Sequence, residues 1–217
     1  MCIRDRFIAI IFMIIGSLPF LVIAKTNFKN IFVIFKDHQV KVFLWILLFA
    51  ITIIFFFANH LIEGSIYDKI IKRSFNSISI ISGTGFVSDN YENWGNYASV
   101  LFLLLMFIGG CAGSTAGGIK VFRFQILFKY LNNHFKKILQ PHVVVASKFN
   151  GKKVSDSTYE SIIGFFFLYI LTFAFSALFL SFSGLDFLTC ISASASAISN
   201  VGPGLGLSLI HISEPTR

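Results

Sequence analysis

Apolar runs alternate with short polar, lysine-bearing stretches along this chain. Residues 7–24 form a charge-free apolar run, long enough for a spanning helix or most of one, and Pro19 is placed to kink it. A polar stretch with Lys25, Lys29, Lys36 and Lys41 follows over 25–41. Residues 42–58 predict a second spanning helix, ending at Asn59-His60. In the next segment, "LIEGSIYDKIIKRSFNSISII", charged residues are mixed in, and Ile66, Ile70, Ile71, Phe75 and Ile78 recur at roughly helical spacing. This predicts a short amphipathic helix over 66–81 that does not cross a bilayer. After "SGTGF" (82–86) and a polar stretch, an apolar run resumes at Tyr97. "GGCAGSTAGGIK" (109–120) interrupts it, with five glycines in ten residues, and helical character returns to about Phe135. Residues 136–157 are polar and basic. Tyr159–Phe182 predicts a third strong span, 187–197 a second short helix rich in small residues, and "SNVGPG" (199–204) a second glycine loop.

Charge gives these elements a direction. Residues 24–41 carry four Lys and 119–157 carry eight Lys or Arg, whereas 60–99 carry three basic residues against four acids. Basic loops remain on the cytoplasmic side, so 25–41 and 136–157 are expected inside and 60–99 outside. The net charge of +8 then needs no nucleic-acid partner. Composition agrees: 55% of residues are hydrophobic, 28 are Phe and 13% are charged, against about 25% charged in a soluble domain. Cys2, Cys111 and Cys190 form no spaced pair and have no nearby His, which argues against a disulfide framework and a zinc site. Cys111 and Cys190 are expected as buried, inert thiols. His38, His60, His134 and His142 fall in polar connections and make no metal or catalytic pair. No His, Cys or carboxylate cluster suggests an enzyme.

The element order repeats. Helix, short helix, glycine loop and helix make one unit over 42–135. Residues 158–206 repeat its first three parts, and "ISGTG" (81–85) matches "ISNVG" (198–202) in register. A short helix and glycine loop between two spans has the layout of a pore loop. Irregular backbone is tolerated at membrane depth only where protein buries it or water faces it. Its carbonyls can replace a cation's hydration shell, and the short helix aims its partially negative C-terminal end at the same place. A cation pathway follows; potassium in particular does not. "SGTGF" alone also fits an outer turn, Pro203 a helix stop, and Asp186 either a helix cap or an acidic group at the outer mouth.

The glycine cluster has competing readings. Gly109, Gly113 and Gly117 fit small-xxx-small helix packing. Residues 113–118 have the glycine spacing of a phosphate loop, but Ile119-Lys120 stands where Lys-Ser/Thr belongs. Lys120 and Arg123 are most simply inner-interface charges, with contact to a regulator or to the break as the alternative. A secondary transporter with broken helices binding a small solute mid-membrane would also use such glycines. It does not account for two matched short-helix-and-loop units.

"FIGGCAGSTAGGIKVFR" together with "SNVGPGLG" resembles the TrkH/TrkG/KtrB family of bacterial potassium uptake transporters, over about residues 75–206 and more weakly upstream. The resemblance implies an all-α polytopic membrane protein of potassium-channel-like units, helix–pore-helix–filter-loop–helix, four in the full-length family and roughly one and a half here. Residues 7–24 would be the last helix of the second unit and 25–41 a cytoplasmic linker. Residues 42–135 would be the third unit, with helix 42–58, pore helix 66–81, filter 82–86 and broken helix 97–135. A cytoplasmic loop (136–157) would lead to a partial fourth unit, 158–206, with helix 159–182, pore helix 187–197 and filter 199–204. The filter residues implied are Ser82, Gly83, Thr84, Gly85 and Phe86, and Ser199, Asn200, Val201, Gly202 and Pro203, with Gly85 and Gly202 as the filter glycines. Gly109, Gly110, Gly113, Ser114, Thr115, Ala116, Gly117 and Gly118 would form an intramembrane gate loop (109–118). Ala116 stands where relatives have glycine, which raises the question of its backbone freedom. The implied activity is potassium uptake across the bacterial inner membrane, often with rubidium, and with sodium or proton coupling left open. Potassium at the filter is the only metal, and no covalent cofactor is implied. The implied partners are a second copy, as a homodimer, and a cytosolic nucleotide-binding ring of TrkA or KtrA type. The ends, "MCIRDR" (1–6) and 207–217, resemble translated sequencing-adapter read-through and are expected not to belong to the protein.

Overall fold

The computed structural model describes residues 3–25, 34–57, 65–140, 148–150 and 152–206. The helices are α1 (Ile3–Ser17), α2 (Phe20–Lys25), α3 (His38–Phe57), α4 (Ile66–Ser82), α5 (Asn96–Phe107), α6 (Val121–Leu139), α7 (Asp156–Ser181) and α8 (Phe187–Ser199). A 3₁₀ turn spans Tyr91–Trp94, and two-residue strands Lys148–Phe149 and Lys152–Lys153 pair antiparallel. Residues 1–2, 26–33, 58–64, 141–147, 151 and 207–217, and with them Cys2, Lys29, His60 and His142, lie outside the described residues.

Among the described residues, two helices, α3 and α7, are long and apolar enough to cross a bilayer. On α3, Val40, Phe43, Leu47, Ala50 and Ile54 are buried at helical spacing, while Trp45, Leu48, Phe49 and Phe56 point outward. A helix apolar on every side, yet with most of its face uncovered, suits hydrocarbon rather than water. The helix expected over 42–58 begins earlier, at His38. Asp37 starts it: its Oδ1 accepts from Gln39 N at 2.7 Å and its carbonyl from Lys41 N at 3.2 Å.

The span expected over 7–24 is two helices rather than one. Pro19 has no N–H and its ring excludes continuous helix, so α1 ends at Ser17 and α2 starts at Phe20. The interrupted span expected over 97–135 is likewise α5 and α6, separated by irregular backbone over 108–120. A parallel bridge joins Ile108 to Ile119, with Gly109 N donating to Ile119 O at 2.8 Å and Ile119 N to Phe107 O at 2.9 Å. The small-xxx-small reading needs a continuous helix through Gly109, Gly113 and Gly117, and is overturned. No strand precedes this segment, so the phosphate-loop reading also fails.

The second correction concerns α4. Its outer end behaves as an amphipathic helix, with Ile66, Tyr67 and Ile70 exposed. From Phe75 to Ser82 every residue is buried, including Asn76, Ser77 and Ser79. The polar face meets protein because α1, α3 and α5 surround the helix, α1 most extensively. The central core joins Phe75, Ile78, Ile80 and Ile81 to Phe43 and Ile54 of α3 and to Phe102, Leu105 and Met106 of α5.

The packing repeats along the chain. Helix α3 lies on α4 and α7 on α8, each long helix against the short helix that follows it. Between repeats, α1 packs on α4 and α5 packs on α8. The fold is therefore all-α apart from the small hairpin, and built from a repeated unit.

Candidate functional site

Both short helices end in the same way. Helix α4 is capped by Gly83 in the left-handed region (φ 67°), and α8 by Asn200 (φ 55°). Two residues on, Gly85 (φ 77°) and Gly202 (φ 107°) again take positive φ. The hydrogen bonds correspond too: Thr84 N donates to Ser79 O at 3.0 Å, and Val201 N to Ser196 O at 2.9 Å. These are helix-terminating turns that use carbonyls left over at a C-terminus. The register Gly83 to Asn200 and Gly85 to Gly202 is that of "ISGTG" against "ISNVG".

The two loops meet. A Cβ added to Gly85 would overlap the carbonyl oxygen of Val201 and lie 3.1 Å from Pro203 Cδ, and one added to Gly202 would lie 3.7 Å from Gly85 Cα. Among the expected filter residues, Ser82, Ser199 and Val201 are buried, whereas Thr84, Asn200 and Gly202 are open. Phe86 is exposed. Ser82 Oγ lies 3.1 Å from Ser79 O and 2.7 Å from Thr84 Oγ1.

The glycine-rich segment closes against both loops. Gly117 fits under α8 so tightly that a Cβ there would overlap Ser199 O, and a Cβ on Gly83 would lie 3.2 Å from Gly117 N. Gly109 backs onto Gly117 in the same way. Gly110, Cys111 and Ala116 are buried, whereas Gly113 and Thr115 are open. Ala116 is not among the residues with positive φ, so alanine suits its backbone in this conformation.

The same segment also repairs the broken first span. Gly16 and Ser17 lose helical partners at Pro19, and their carbonyls accept from the glycine segment instead. Thr115 donates to Gly16 O through N at 3.2 Å and Oγ1 at 3.0 Å, and Cys111 N donates to Ser17 O at 2.9 Å. In return Phe20 N donates to Gly113 O at 3.0 Å. Two interrupted helices thus satisfy each other's backbone, as a medium without water requires. Gln39 adds a tether from the start of α3, its Oε1 accepting from Ala112 N at 3.0 Å. A cavity of about 250 Å³ separates α1 from the 82–86 loop and Thr115, lined in part by Met13, Gly16, Ser82 and Thr84.

Further supports come from residues that pattern reading did not single out. Tyr169 of α7 meets Ser199 Oγ at 2.6 Å in a buried pair. A hydroxyl within an apolar span is the signal that could have marked it. Asn76 turns the chain back after Phe86: its Oδ1 accepts from Ser88 N at 3.0 Å, and its Nδ2 donates to Asp89 O at 3.0 Å. Tyr91 Oη donates to Gly204 O at 3.0 Å, and Glu92 Oε1 accepts from Gly206 N, so the turn after one loop braces the other. Toward the N-terminal part of α4, Lys72 lies 3.4 Å from Asp68 and 3.2 Å from Asp89. Partial burial lowers its pKa, but the hydrogen bond and charge of Asp89, with Asp68, raise it further. Asp186, which the sequence marks as a cap or a mouth acid, caps α8, accepting from Thr189 N at 3.2 Å and from Thr189 Oγ1. Those bonds hold its carboxyl below the usual range.

A family model described as TrkH, a cation transport protein, matches residues 5–217. The chain belongs to this family. Over 197 residues it is 36% identical to the Trk system potassium uptake protein TrkI of Halomonas elongata, covering 90% of this chain and 40% of that one. Over 190 residues it is 34% identical to the Trk system potassium uptake protein TrkG of Escherichia coli K12, covering 88% and 39%. The crystal structure of the potassium transporter TrkH from Vibrio parahaemolyticus matches at a TM-score of 0.85 and 30% identity, covering 94% of this chain and 45% of that chain. The chain thus spans about two-fifths of the length of the curated relatives it matches. As a TrkH-family chain it is a membrane protein. Among the described residues, no group of three or more His, Cys, Asp or Glu side chains could hold a metal ion.

Proposed function

We propose that this chain supplies part of a potassium uptake pathway across the bacterial inner membrane, and that it is not an enzyme. The observation that carries this reading is the shared backbone register of 82–86 and 199–203, face to face over the glycine-rich segment. Ser82, Gly83, Thr84, Gly85 and Phe86, with Ser199, Asn200, Val201, Gly202 and Pro203, form two of four filter loops. Their carbonyls replace the ion's water, and the C-terminal ends of α4 and α8 favour a cation there. Residues 109–118 form the gate on the inner side. The complete protein carries potassium, and rubidium with it, acts as a homodimer, and meets a cytosolic nucleotide-binding ring of TrkA or KtrA type. The relatives' potassium uptake names support the choice of ion. A solute transporter with broken helices has no need of two loops in one register.

The full-length protein should restore growth of potassium-uptake-deficient bacteria at low potassium. No rescue, with the protein present in the membrane, overturns the reading. Gly85→Ser or Gly202→Ser should relax discrimination against sodium, since each puts a side chain where the loops meet. Unchanged ion preference removes both residues from the filter.

A further inference from the structure

Lys120 occupies a place that helix energetics do not explain. It is the residue before α6, at the helix N-terminus, and its side chain caps nothing. A cation there opposes the helix dipole. Nor does it reach out as an interface charge would. Its ammonium folds back onto the glycine-rich segment, donating to Ser114 O at 3.2 Å, Ser114 Oγ at 3.3 Å and Ala116 O. An ammonium has three donors, and these three oxygens match them. Among the described residues no carboxylate pairs with Lys120. The charge is satisfied by neutral oxygens alone, the donor set that carbonyl-lined sites use for potassium.

The position of those oxygens gives the contact its meaning. Ser114 hydrogen-bonds back to Cys111 O through N at 3.1 Å and Oγ at 2.7 Å. Ala116 adjoins Gly117, the residue seated against Ser199 and Gly83. Lys120 therefore holds the part of the segment that touches the two loops against the N-terminal boundary of α6.

We propose that Lys120 is the latch of residues 109–118, a tethered cation that keeps the segment seated and must release before it moves. The effect on ion flux rests on the gate reading above; the effect on the segment's own mobility does not. Lys120→Met keeps the stem and removes every donor, and Lys120→Arg keeps the charge.

The test uses the full-length membrane protein and two readouts. One is the alkylation rate of Cys111, a buried thiol within the segment, measured by mass spectrometry of its peptide. The other is rubidium uptake into proteoliposomes without regulator. Lys120→Met should speed Cys111 alkylation by about tenfold or more, the equivalent of about one charge-assisted hydrogen bond lost, and should raise basal uptake. Lys120→Arg should restore much of the protection. Unchanged alkylation in Lys120→Met overturns the latch, whatever the flux does. Faster alkylation with unchanged uptake keeps the latch and overturns the gate reading instead. If Lys120→Met fails to insert, Ser114→Ala, which removes one acceptor, must still speed alkylation several-fold; failure to do so overturns the proposal.

Discussion

Gly117→Ala perturbs the closest approach between the glycine-rich segment and the loops. The added Cβ would lie 2.9 Å from the Ser199 carbonyl carbon and overlap its oxygen. Both partners are backbone, so no side-chain rotation relieves the overlap. The segment and the end of α8 must part by more than the roughly 0.5 Å that would bring the carbonyl carbon from 2.9 to 3.4 Å, since the oxygen stands closer still. Neither side yields freely: Tyr169 pins Ser199 from behind, and Gly16 and Ser17 hold the segment from the other side. Overpacking of this kind costs typically about 1–3 kcal/mol, which lowers the population of the seated segment by about 5- to 150-fold. Basal rubidium uptake by the full-length protein in proteoliposomes should rise accordingly. Gly164→Ala is the control. It lies within α7 with open space around its Cβ position, so it should leave uptake unchanged and add up to about 1 kcal/mol of stability. If Gly117→Ala inserts normally and its uptake is unchanged or lower, the segment is not seated against α8 in the way described.

Tyr169→Phe removes the buried hydroxyl at Ser199 and should cost about 1 kcal/mol, seen as a lower denaturation midpoint; an unshifted midpoint would mean the pair contributes nothing. Asp186→Asn tests the cap of α8 by pH. The folded carboxyl is held below its unfolded value, so its stabilisation is complete above about pH 4 and is lost as pH falls through the depressed value. The stability gap between the parent protein and Asp186→Asn should therefore narrow on acidification from pH 6 to pH 3, and a constant gap would refute the cap's charge dependence.

Much of the candidate site could be read one stretch at a time. "ISGTG" and "ISNVG" announce their turns because glycine and asparagine are the residues that accept positive φ. The structure has Gly83, Asn200, Gly85 and Gly202 in that conformation. Pro19 announces the break in the first span for an equally local reason. Chain periodicity marked α4, but it missed the burial of Asn76, Ser77 and Ser79, because a window of sequence reports one helix's faces and not how many neighbours surround it. Ala116 was open to misreading from its glycine-rich context alone, since its own φ depends on the path of the loop.

The sequence by itself determined where helices run and stop, which loops repeat, and that a bilayer surrounds them, since dihedral preference and apolar length act within a few residues. Only the tertiary structure decided that the break at Pro19 and the glycine-rich segment complete each other's hydrogen bonds, and that Lys120 turns inward. It alone assigned Gly117 its need for glycine, opposite Ser199. Hydrogen-bond partners and forbidden Cβ positions are set by atoms from distant parts of the chain, and they exist only once the helices have packed.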